Sequence, residues 1–246
     1  MLKIFPDAAA LAQAAARRIL HVGKEAIRRR GRFTLLLSGG STPGAVYQRL
    51  ALPVESARLD WRRVHLYWGD ERCVAPDHPD SNYAIVRQAL LARLPLPGEN
   101  IHRIQGELGA AAAATAYEAD LRRFFHDLQE GLPVFDLVLL GLGDDGHTAS
   151  LFPGATALDE TERWAVAVVH RLPPLPLVPR VTVTLPVINA ARRVLFLVAG
   201  QQKSEILYRV TMAAETPLLP AQRVQPESQQ LEWLVDQPAA SKLTFR

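Results

Sequence analysis

The run FDLVLLGLGDDGHTASLFPG at residues 135–154 joins two kinds of sequence with opposite physical demands. Residues 135–140 are a short apolar stretch of the kind that forms a strand buried on both faces. Residues 141–150 follow at once, too rich in glycine to be packed core, and present one imidazole, His147, between carboxylates and hydroxyls. A buried strand that gives way abruptly to such a loop is typical of an open α/β sheet, in which ligands sit beyond the carboxyl ends of the strands. Histidine titrates near pH 6.5, at roughly neutral pH, so His147 is suited to accept a proton and return it within one turnover.

The same alternation recurs on either side. Residues 33–37, 64–68, 164–170, 180–185 and 193–199 read as strands. An Ala-rich run after Pro6 and Asp7, ending at Gly31, reads as a capped helix, and residues 81–94, 109–130 and 201–212 read as further helices. Strands alternating with helices predict an α/β fold with a mainly parallel sheet covered on both faces. The polar, glycine-bearing segments 38–43, 69–74, 141–150 and 200–204 each follow an apolar run. Four site loops are therefore expected on one edge of the sheet. Pro173, Pro174, Pro176 and Pro179 predict a stiff surface loop.

Each loop carries its own chemistry. In residues 38–43, Gly39 and Gly40 let backbone N–H groups approach an anion, Ser41 and Thr42 offer hydroxyls, and Pro43 suits the first position of a helix whose dipole favours negative charge; a plain capped turn is the alternative. Asp70, Glu71 and Arg72 set two carboxylates beside a guanidinium, which reads either as a surface ion pair or as an anion fork. Lys203 opens a helix against its dipole, so it calls for an anionic ligand or compensation by Glu205. Asp144, Asp145 and His147 could ligate a metal, but the remaining histidines have no zinc-site spacing and no metal is expected. His21, His78, His102 and His126 lack comparable surroundings and read as structural or solvated.

Composition narrows the class. The 246 residues, 48% of them hydrophobic, suffice for a sizeable core and fit a single domain over residues 1–246. Lys and Arg number 28 against 25 Asp and Glu, interspersed along the chain, which argues against a nucleic-acid surface. The densest basic run, Arg28, Arg29, Arg30 and Arg32, closes the first helix, where cations complement the dipole; a polyanion-binding patch is the other reading. Cys73 is the sole cysteine, so no intrachain disulfide forms, and no Cys-His signature makes it a nucleophile. No leader-like apolar region and no run of roughly 18 apolar residues is present, so a cytoplasmic protein that does not engage a membrane is expected.

The strings LLLSGGSTP, YWGDERCV, FDLVLLGLGDDGHTASLFPG, PRVTVTLPVIN and LVAGQQKSEIL resemble, in order and spacing, the 6-phosphogluconolactonase family. The resemblance implies a Rossmann-like three-layer α/β/α fold of the glucosamine-6-phosphate deaminase and ribose-5-phosphate isomerase type. It implies hydrolysis of 6-phospho-D-glucono-1,5-lactone, a small sugar-phosphate substrate, without a cofactor; a monomer or small homo-oligomer is expected. It makes His147 the general base and Arg72 and Lys203 the phosphate binders, with Asp70 and Asp145 orienting the base or sugar hydroxyls and Arg180 adding positive charge. The related deaminases resemble DGHIAFNEP, with a glutamate before the proline, where this chain has Phe152 before Pro153. A sugar-phosphate sensor fused to a transcription regulator is a further alternative, but no helix-turn-helix precedes the first strand.

Overall fold

The computed structural model describes residues 1–126, 131–169, 176–213 and 215–243. The sequence expectations for residues 127–130, His170, Pro173 and Pro174, and for the side chain of His126, lie outside the described residues. The chain opens with β1 (Leu2–Phe5) and α1 (Ala8–Arg30), then β2 (Phe33–Leu37), α2 (Ser41–Leu50), α3 (Pro53–Ser56), β3 (Val64–Trp68) and β4 (Asp70–Arg72). It continues through α4 (Asn82–Ala89), β5 (Ile101–His102), α5 (Ala110–His126), β6 (Leu137–Leu140), β7 (Ala165–Val168) and β8 (Arg180–Val183). The last elements are α6 (Leu185–Asn189), β9 (Val194–Val198), α7 (Ser204–Met212) and β10 (Leu231–Asp236).

Local chemistry sets the ends of α1. The Asp7 side chain accepts from the Ala10 N–H at 2.8 Å, and Gly31, at φ +76°, closes the helix in the left-handed conformation that favours glycine. The buried face of α1, including Leu11, Ala15, Ala16 and Ile19, packs on α2 and β10.

Seven strands form one sheet in the order β1-β10-β9-β6-β2-β3-β5, and every pairing is parallel. All residues of β2, β6 and β9 are buried, as expected of strands covered on both faces. The strands that lead into the four polar loops, β9, β6, β2 and β3, are immediate neighbours. Their carboxyl ends therefore gather those loops in one place.

Two features depart from the sequence reading. Strands β7 and β8 do not join the parallel sheet; with β4 they form a separate antiparallel sheet, β4-β8-β7, against which α5 packs. Residues 70–72, read as loop, are thus a short strand. Gly69 is the joint between the sheets: its N–H donates to the Leu37 carbonyl and its carbonyl accepts from the Val183 N–H, both at 2.8 Å. The strands β1, β5 and β10 were not evident from the pattern and occupy the outer positions.

Where the sheet opens, two buried tyrosines stand in for missing strand partners. The Tyr47 hydroxyl accepts from the Ser38 N–H at 3.1 Å and donates to the Ser38 carbonyl at 2.7 Å. Tyr117 does the same at Trp68, at 3.0 and 2.8 Å. Burial pushes both phenols far above their ordinary pKa, so both remain donors. Among the described residues no helix is long and apolar enough to cross a membrane.

Removing the Tyr117 hydroxyl would leave two buried backbone groups unpaired. Tyr117→Phe is therefore expected to cost about 1–3 kcal/mol, read as a lower urea midpoint at unchanged slope. An unchanged midpoint would mean that Trp68 finds other partners.

Candidate active site

His147 is held by a network that its own loop supplies. Gly146, at φ +85°, turns the chain and donates to the Gly143 carbonyl at 3.0 Å, while the Gly143 N–H donates to the His147 carbonyl at 2.9 Å. This fold brings the imidazole so close to Gly143 that a Cβ there would lie 2.0 Å from Nδ1. Asp145 Oδ1 accepts from the His147 N–H at 3.0 Å and meets its Nδ1 at 2.6 Å. Burial works against the Asp145 charge, but the hydrogen bond and the charge of His147, with backbone N–H groups, outweigh it and hold the carboxyl below the usual range. An ionised carboxylate only accepts, so Nδ1 is the donor, and in the neutral ring Nε2 carries the lone pair. Phe152 lies against the imidazole, with ring centroids 4.6 Å apart.

A cavity of about 260 Å³ opens beside this ring. Its lining comes from all four strand-end loops: Gly39 and Gly40 after β2, Asp70 and Arg72 after β3, residues 141–144 and 147–149 after β6, and Lys203 after β9. Arg180, at the start of β8, joins them. Of the expected site residues, Asp145 contacts His147 from behind the cavity wall, and Ser41 and Thr42 are not part of the lining. Helix α2 begins at Ser41, so Pro43 is its third residue and not, as expected, its first; the position still lies within the turn whose N–H groups have no helical acceptor, where a residue without an N–H loses no helical bond.

The three cations are held differently. Arg72 Nη1 donates to the Asp80 carbonyl at 2.7 Å and to Asn82 Oδ1 at 3.0 Å. Arg180 is only 3% exposed; its Nη2 donates to the Pro176 carbonyl at 3.2 Å, and its Nη1 stands 4.0 Å from Asp70. Burial draws the Arg180 pKa below the usual arginine value, with Asp70 acting in the opposite sense. The Nε atoms of Arg72 and Arg180 are both buried without a hydrogen-bond partner. Lys203 reaches Asp144 at 2.6 Å, whereas Glu205 pairs with Lys242 at 2.5 Å. Compensation of Lys203 therefore comes from the His147 loop and not from Glu205.

Asp70 and Glu71 are buried, not a surface pair. Asp70 accepts from Ser150 Oγ at 2.5 Å and from Asn82 Nδ2 at 3.1 Å, and makes no hydrogen bond to His147. Glu71 accepts from the N–H groups of Asn82 and Tyr83 at 2.7 and 2.8 Å, capping α4, and burial raises its pKa. Asn82 escaped the sequence reading. Only 1% exposed, it links Asp70 to Arg72 and packs so tightly on Gly39 that a Cβ there would lie 1.9 Å from its Oδ1. Its one sequence signal is the Ser81 helix cap before it, which says nothing of those partners. Burial also raises the Cys73 thiol, away from thiolate chemistry. Among the described residues no group of three or more His, Cys, Asp or Glu side chains could hold a metal ion.

Gly143→Ala should push the imidazole off Asp145. The expected readout is loss of the downfield Nδ1 proton signal in NMR spectra; a retained signal would show that the loop accommodates the methyl group.

A family model described as glucosamine-6-phosphate isomerases/6-phosphogluconolactonase matches residues 6–233. Over 245 residues the chain is 41% identical to a 6-phosphogluconolactonase of Nostoc sp., covering 99% of this chain and 98% of that protein. The solved structure of a 6-phosphogluconolactonase from Trypanosoma cruzi superposes with a TM-score of 0.88 at 29% identity, over 99% of this chain and 97% of the other. A monomeric glucosamine-6-phosphate deaminase shares the fold, with a TM-score of 0.81 at 20% identity over 98% and 99% of the two chains. The parallel sheet, its four gathered loops and these likenesses agree: the chain belongs to the glucosamine-6-phosphate isomerase/6-phosphogluconolactonase family.

Proposed function

We propose that this protein hydrolyses 6-phospho-D-glucono-1,5-lactone to 6-phospho-D-gluconate, the second step of the oxidative pentose phosphate pathway, with His147 as the base. The observation that carries the reading is the imidazole whose Nδ1 is fixed by an ionised Asp145 beside a cavity lined by Arg72, Arg180 and Lys203. The 6-phosphogluconolactonases to which the chain is similar support the choice of substrate. Phe152 supports hydrolysis over isomerisation, because it sets an apolar ring against His147 where the resembling deaminases carry a carboxylate.

In this mechanism His147 Nε2 takes a proton from water as the water oxygen bonds to the lactone carbonyl carbon. The tetrahedral intermediate collapses by breaking its bond to the ring oxygen, which receives the proton from the imidazolium. The new carboxylic acid then releases its proton to solvent. Asp145 is the positioning residue: it fixes the tautomer and stabilises the transient imidazolium. The substrate phosphate is bound by Arg72 and Lys203, with the backbone of Gly39 and Gly40 and the amino end of α2 as further donors. Lys203 gives up Asp144 on binding; an exposed pair is worth only about 0–1 kcal/mol, so the exchange is inexpensive. Asp70, held by Asn82 and Ser150, faces the cavity as an acceptor for a sugar hydroxyl.

His147→Ala is expected to lower kcat by about 10² or more, with phosphate affinity nearly kept. Asp145→Asn should lower kcat while leaving KM close to its original value. The assay follows freshly generated 6-phosphogluconolactone against its unaided hydrolysis, beside ammonia release from glucosamine-6-phosphate. Near-normal turnover without the imidazole, or ammonia release as the main activity, would overturn the assignment. Arg72→Gln and Lys203→Gln should each raise KM for the phosphorylated lactone and hardly change hydrolysis of gluconolactone. An equal loss on both lactones would remove these residues from phosphate binding.

A further inference from the structure

The basic run that closes α1 is not explained by the site above. Arg30 and Arg192 share one carboxylate, Asp136, at 2.7 and 3.5 Å. Arg29 and Arg193 share another, Glu25, at 3.1 and 3.2 Å. Arg32 has no carboxylate within ion-pair distance among the described residues; its guanidinium stands 5.7 Å from the centroid of the Phe124 ring. Among the described residues, five guanidiniums thus face two carboxylates and leave a surplus of positive charge. Asp136 has little capacity left, because its other oxygen accepts from the N–H and hydroxyl of Thr34 at 2.9 and 3.2 Å.

These residues precede β2, β6 and β9, three neighbouring strands, so they lie at the amino edge of the sheet, opposite His147. A cavity of about 210 Å³ opens there, lined by Arg30, Arg32, Arg192, Thr34 and Asp136, with Phe125 and Val134 as its apolar wall. A second hollow of about 240 Å³ shares Arg30, Asp136 and Arg192 and adds Arg29 and Arg193. The Nε of Arg30 is buried without a partner. The carboxyl end of α1 contributes partial negative charge, equivalent to about half an elementary charge, too little to balance the surplus.

We propose that this hollow is a second anion site, distinct from the lactone cavity, and that it takes a small phosphorylated anion with at least two negative charges. The guanidinium is the side chain suited to phosphate, offering paired donors in a fixed plane. The hollow is compact, and Glu25 and Asp136 interrupt the basic surface, which fits a pyrophosphate-sized group better than the continuous track of a nucleic-acid backbone. Arg32, which has no carboxylate partner among the described residues, and Arg192, which stands 3.5 Å from an Asp136 already paired with Arg30, supply the charge, and the Arg30 guanidinium, its Nε unpartnered, adds to it.

The test is titration calorimetry with inorganic pyrophosphate at low ionic strength, in an Arg72→Gln/Lys203→Gln background that weakens anion binding at the lactone cavity. One pyrophosphate site should persist in that background. Adding Arg32→Gln and Arg192→Gln should weaken it at least tenfold, and raising the salt concentration should weaken it further. Both arginines are partly exposed, so Arg32→Gln/Arg192→Gln placed in the otherwise unmodified chain is expected to fold, and its lactone turnover without pyrophosphate should match that of the unmodified chain. Loss of all pyrophosphate binding in the background protein, or binding indifferent to Arg32 and Arg192, would overturn the proposal. So would a short single-stranded oligonucleotide that displaces pyrophosphate and binds more tightly through the same two arginines. The readout is binding and not lactone hydrolysis, so this proposal and the catalytic assignment fail separately.

Discussion

Parallel strands must part to make room for a ligand, and each parting strand leaves buried N–H and C=O groups that water does not reach. An unpaired group of this kind costs about 1–3 kcal/mol, so the cleft depends on finding substitutes. Tyr47 and Tyr117 supply them at Ser38 and Trp68, each phenol serving as donor and acceptor at once. Gly69 supplies another by bonding to both sheets, and Thr148 Oγ1 a fourth by donating to the Gly141 carbonyl at 2.9 Å. With the backbone satisfied, the loops need no ligand to take their shape. His147 and Asp145 are consequently held in register by their own loop.

Charge in the cavity is divided between permanent and exchangeable partners. Arg180 and Asp70 face each other in a buried setting, with Ser150 and Asn82 completing the hydrogen bonds of the carboxylate. Removing either member would leave a buried charge uncompensated. Lys203 is paired instead with Asp144, whose side chain is 71% exposed and easily resolvated. One flank of the site therefore holds its geometry, and the other can release a cation to an arriving anion.

The parts of the fold legible in the sequence were those where local signals agree with burial. The continuous apolar runs of β2, β3, β6 and β9, and the Asp7 and Gly31 caps of α1, specify themselves. Edge strands do not: β1 is half exposed, β5 has two residues, and β10 carries Glu232 and Asp236 within its apolar pattern. Strand β4 is harder still, since Asp-Glu-Arg reads as a polar loop until Asn82, Tyr83 and Ser150 are seen to neutralise the cost of burying it. At the site, His147 and its glycines were readable because their requirements lie within a few residues. Asn82 was not, because its meaning comes from Gly39, Asp70 and Arg72, which only the folded chain brings to it.

Strand β1 adds along β10, with Leu2 opposite Trp233 and Phe5 opposite Asp236. In synthesis order, β1 must wait for β10, the last of the described strands. Until residues 231–236 leave the ribosome, β1 has no partner, β9 presents an open edge, and the face of α1 that packs on β10 lacks that support. A nascent chain could gather the four central strands and still fall short of the native sheet. The arrival of residues 231–236 thus becomes the event that seals the sheet, and chains cut short before them would expose the sticky edges on which quality control acts.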